Sequence, residues 1–147
     1  MASTHGQKKC EQWIINHWLP ERYHVKFENK RLKMQGRGEF EFDAVCKDEA
    51  IVGNISTATA TTYRGYIASG KKSKIRADCL MLSLVSAKKK LLILTESCMY
   101  EFALKEQEAG RLPLDVEIYC AELPCELKVE LAADREIASK EVRSKTE

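Results

Sequence analysis

Long apolar runs are missing from this chain, and so are the usual signatures of metal-binding cysteines. The best apolar stretch, 79–85, is interrupted by Ser83 and falls far short of a membrane span. The opening residues MASTHGQKK carry charge with no apolar segment behind it, so a secretory signal is not expected. Histidine occurs only at 5, 17 and 24, and only Cys120 and Cys125 lie close together among the six cysteines. That excludes a recognisable zinc-ligand pattern. Scattered cysteines, several inside apolar runs, point to buried free thiols in a reducing cytoplasm. Repeats and low-complexity tracts are also absent. What is present is ordinary globular composition: 147 residues, 44% hydrophobic and 31% charged, enough for one core. One domain over 1–147 is expected, with no membrane association.

Net charge is also small, at +2, but the charges are segregated. Between Arg64 and Lys90 stand eight bases (Arg64, Lys71, Lys72, Lys74, Arg76, Lys88, Lys89, Lys90) against one acid, Asp78. Between Glu96 and Arg135 ten acids face four bases. Bases gathered in space can face phosphates, and Arg64, Lys71, Lys72, Lys74 and Arg76 are the candidates for nucleic-acid binding. The same run also reads as a solvated helix end.

Apolar spacing predicts a helix over 8–19, with Cys10, Trp13, Ile14 and Trp18 on one face and Pro20 as its stop. A strand over 23–29 and a polar turn over 32–38 follow. The run GEFEFDAV then alternates, Phe40, Phe42 and Ala44 against Glu39, Glu41 and Asp43. The link CKDEA leads to a β-branched strand over 51–58. Residues 59–70 read as a loop with Tyr63 and Tyr66 tucked back. A helix over 74–85 is expected to bury Ala77, Leu80, Met81, Leu84 and Val85. A buried strand at 90–94, a helix at 96–109 capped by Gly110, and a strand at 114–120 complete the core at about 6–123. A C-terminal helix is expected at about 126–142, with Leu127, Leu131, Ala138 and Val142 on one face. The order αβββαβαβ plus a C-terminal helix predicts an α/β fold, a mixed sheet flanked by helices.

One carboxylate, Asp43, projects from the first run of the hairpin-like pair, in the phrase Glu41-Phe42-Asp43. The second run reads Gly53-Asn54-Ile55-Ser56. With Glu11 on the first helix, and LLILTES and LPLDVEIY flanking a later helix, this layout resembles the PD-(D/E)XK nuclease superfamily, the restriction-endonuclease-like fold. The resemblance covers roughly 6–123. It implies that Asp43 is the strand acid and metal ligand and that Glu11 assists. Asn54 and Ser56 then stand where the family's paired carboxylate and lysine would fall.

Those replacements bear directly on chemistry. Phosphodiester cleavage at neutral pH uses divalent ions to neutralise phosphate oxygens and to make hydroxide from bound water. Mg²⁺ prefers anionic oxygens, and asparagine offers a carbonyl without charge. Ser56 offers a hydroxyl where a cation would meet developing charge. The resemblance therefore implies a degenerate nuclease-like domain that binds nucleic acid or a protein partner without cleaving. The alternative is an active Mg²⁺-dependent nuclease with a rearranged site, in which Lys71, Lys72 or Lys74 supplies the missing cation and Glu39 or Glu41 adds a carboxylate. A third reading is a structural or self-associating domain forming a homo-oligomer. Simpler roles stand beside each: Asp43 as a solvated strand residue, Glu11 as a helix-start acid, Trp13 and Trp18 as core. No aromatic–basic interleaving distinguishes DNA from RNA.

Overall fold

The computed structural model describes residues 5–59 and 68–146, with side chains described as far as 137. Arg64, Tyr63 and Tyr66 lie outside the described residues, as do the side chains of Ala138 and Val142. Helix α1 (His5–Trp13) runs through a π-helical turn (Ile14–Trp18) into α2 (Leu19–Tyr23). Pro20 does not stop it, contrary to expectation. The Leu19 N–H reaches back to the Ile14 carbonyl, and this wider turn lets the helix pass a residue with no N–H to give. The stop comes at His24, left-handed at φ 58°.

The first strand is consequently later than the sequence predicts. Strands β1 (Phe27–Lys33), β2 (Glu39–Cys46) and β3 (Ile51–Ser56) pair antiparallel in order. Helix α3 (Ser69–Leu84), β4 (Lys89–Leu94), α4 (Ser97–Glu108), β5 (Val116–Cys120) and α5 (Cys125–Thr146) follow. β3, β4 and β5 pair in parallel, giving a five-stranded mixed sheet in the order β1-β2-β3-β4-β5. This is an α/β fold with helices on both faces. In β4, Leu92 and Leu94 face α3 and α4, while Leu91 and Ile93 face α1 and α5, so the strand is apolar on both sides.

Three expectations about which side chains face inward are corrected. β2 carries one extra residue opposite β1: Glu28 pairs with Val45, but Lys30 pairs with Phe42. This bulge at Asp43 breaks the alternation, so Phe42 joins the core under α3 and Ala44 the core under α1. In α3 the buried face is Ile75, Asp78, Cys79 and Leu82, with Val85 just beyond the helix, whereas Ala77, Leu80 and Leu84 are exposed. Trp13 and Trp18 pack against the core from its margin rather than within it. All six cysteines are free, and Cys10, Cys46 and Cys79 are buried. Among the described residues no helix is long and apolar enough to cross a membrane.

Candidate active site

The site lies where β2 and β3 part. Their ladder has only two paired positions, Ala44 with Gly53 and Val45 with Val52. Past Gly53, side chains replace the ladder. The Ile55 N–H donates to Asp43 Oδ2 at 2.8 Å, and the Asp43 N–H donates to Asn54 Oδ1 at 3.5 Å. Asn29 Nδ2 donates to the Asp43 carbonyl at 3.2 Å. The bulge, the splay and these bonds fix Asp43 on a stiff backbone, and only its Oδ1 has no protein partner among the described residues.

Asn54 is 2% exposed, and both ends of its amide bond to backbone. Its oxygen takes the Asp43 N–H, and its Nδ2 donates to the Asp78 carbonyl at 3.2 Å. Ser56, 8% exposed, uses its hydroxyl to accept the Ala58 N–H at 3.3 Å. Both residues hold the backbone of the site together. A buried amide stripped of its partners costs about 1–3 kcal/mol, so these bonds are worth keeping.

Two groups on neighbouring helices are coupled to Asp43 through their charge. Glu11, on α1, makes no hydrogen bond or ion pair among the described residues; burial first, and then the charge of Asp43, push its carboxyl up to about 7. Lys74, on α3, offsets both acids. Burial raises the Asp43 carboxyl, while the Ile55 N–H and then Lys74 pull it back. Lys74 Nζ is itself gripped by both oxygens of Asp78, at 2.8 and 3.0 Å. Asp78 is only 3% exposed, and burial is the main cause of its raised carboxyl. It was not singled out from the sequence. Its signal there was weak: the lone acid of a basic run, four residues after Lys74.

Of the expected phosphate-facing residues, Lys71, Lys72 and Arg76 each meet a group of the fold. Lys71 Nζ donates to the Thr59 carbonyl at 2.7 Å, and Lys72 lies 5.9 Å over the Phe102 ring. Arg76 pairs with Glu106, Lys89 with Glu117 and Lys90 with Asp115. Of the added acids, Glu41 acts on Asp43 through its charge but is exposed, and Glu39 makes no contact with it.

The unengaged oxygens at the site are therefore Asp43 Oδ1 and the Glu11 carboxylate, since Lys74 occupies Asp78. Among the described residues no three His, Cys, Asp or Glu side chains are grouped to hold a metal ion. Mg²⁺ keeps several waters and commonly takes one or two carboxylates plus substrate phosphate, and Asp43 and Glu11 are the acids that remain for it. Family models, curated proteins and solved structures were each compared with the chain, and none matches.

Proposed function

We propose that this chain is a Mg²⁺-dependent nuclease of the restriction-endonuclease-like kind, with a rearranged PD-(D/E)XK site made of Asp43, Glu11 and Lys74. The observation that carries this reading is the freedom of Asp43 Oδ1 at the β2–β3 splay, with the charges of Glu11 on α1 and Lys74 on α3 coupled to that carboxylate. The element order and the antiparallel-then-parallel sheet support the same family resemblance. In this reading Asp43 Oδ1 and Glu11 hold the ion, which would neutralise a phosphodiester and lower the pKa of its water. Lys74 stands in for the lysine missing at Ser56, offering a cation to the charge that develops on phosphate. Binding the ion would hold Glu11 ionised against the burial and the Asp43 charge that raise its carboxyl in the metal-free chain.

A second reading is favoured by one observation: Asn54 and Ser56 are engaged in backbone bonds. Under it the domain binds DNA, RNA or a protein partner and cleaves nothing. Mn²⁺ titration followed by electron paramagnetic resonance separates the two. The nuclease reading expects one saturable site that weakens at least tenfold in Asp43→Asn and in Glu11→Gln. No saturable Mn²⁺ binding by folded protein leaves the binding-domain reading.

A further inference from the structure

Helix α4 ends at Glu108, and Gly110 turns the chain with φ at +80°, a conformation side chains rarely adopt. The turn folds Arg111 back on the helix, where its N–H donates to the Glu106 carbonyl at 2.9 Å and its Nε to Glu106 Oε2. From α3, Arg76 Nη2 donates to the other oxygen, Oε1, at 2.8 Å. Glu106 is 5% exposed, and hydrogen bonds from Arg111 and then Arg76 hold its carboxyl below the usual range. The buried Glu106 carboxylate thus aligns two guanidinium groups, and the Glu106 carbonyl also holds the Arg111 backbone.

One arginine would neutralise Glu106; the second leaves a surplus positive charge. Each guanidinium has five N–H donors and gives one to Glu106, and neither meets another acceptor among the described residues. Both side chains remain about half in solvent, 47% and 62% exposed. They line an open cleft of about 390 Å³ together with Ser83 and Gly110. Arg76 lies two positions past Lys74, roughly 200° around α3, so this cleft faces away from Asp43.

We propose that Arg76 and Arg111 form a binding site for a phosphate group, pre-organised by Glu106. Paired planar forks suit a tetrahedral oxyanion, and fixing them beforehand removes most of the ordering cost. The source is either a small phosphate ester or a nucleic-acid backbone; the chemistry recognised is the same. This inference stands apart from the nuclease reading.

The test is a titration of the whole chain with inorganic phosphate, followed through the amide resonances of Arg76, Gly110 and Arg111, with acetate as control. The expected result is saturable movement of these resonances by phosphate and at least about tenfold weaker binding in Arg111→Lys and Arg76→Lys. Those variants keep an ion pair to Glu106 and lose the fork, so they preserve folding. Competition by a short single-stranded oligonucleotide assigns the site to a nucleic-acid backbone; phosphate binding without that competition assigns it to a small ester. Absence of saturable movement, or unchanged affinity in both lysine variants, overturns the proposal.

Discussion

Lys74 Nζ lies 2.8 Å and 3.0 Å from the two carboxylate oxygens of Asp78, one turn along the same helix. The amine is largely exposed and the acid is buried, so the acid anchors the amine rather than the reverse. An anchored lysine whose charge reaches Asp43 and Glu11 differs from a solvated one, because its position is fixed in advance.

Removing that amine is predicted to cost activity and stability through separate routes. Lys74→Met should lower cleavage at least about a hundredfold. It should also destabilise the fold by about 1–2 kcal/mol, since Asp78 loses its partner while part of the pair was already solvent-screened. Adding Asp78→Asn should recover part of the stability and none of the activity. Urea denaturation and initial rates read the two effects independently.

Glu11 makes stability depend on pH. Its carboxyl sits near 7 in the fold against 4.5 for the ordinary group, so the native state binds more protons through that window. Stability therefore falls as pH rises from 4.5 to 7, and the full penalty is present above 7. Glu11→Gln should match the natural protein below pH 4.5 and exceed it by about 1–2 kcal/mol at pH 8, after discounting for partial solvent exposure. Equal stability of the two proteins at pH 8 would remove Glu11 from the pair with Asp43.

Placing a carboxylate at Asn54 should make the fold demand a cation. Asn54→Asp loses the donor to the Asp78 carbonyl and sets a third charge beside Asp43 and Asp78. We expect a loss of about 2–3 kcal/mol at pH 8 without divalent ions. Mg²⁺ or Mn²⁺ should then raise the melting temperature of the variant more than that of the natural protein. A variant as stable as the parent and indifferent to metal would contradict this placement.

The order of elements was readable because β4 is a continuous apolar run and α4 and β5 carry apolar periodicity; Asp43 and Glu11 were singled out by the family-like layout alone. The bulge at Asp43 was not readable, since GEFEFDAV alternates without a break and only the pairing with β1 shows the extra residue. The buried acids were hidden for a different reason. Helix α3 offers two apolar stripes, Ile75–Cys79–Leu82 and Ala77–Leu80–Leu84, and spacing alone does not choose between them. The stripe that is buried carries Asp78 with it, tolerated because Lys74 supplies the counter-charge. Glu106 was masked likewise, its two arginines arriving from α3 and from the turn after Gly110.

The most direct test of the account is cleavage of mixed DNA and RNA substrates with Mg²⁺ or Mn²⁺ by the natural protein, Asp43→Ala and Lys74→Met, each beside EDTA. The account predicts cleavage by the natural protein alone, abolished by EDTA and by either substitution. No cleavage by well-folded natural protein with either ion, or cleavage that survives Asp43→Ala, would contradict it.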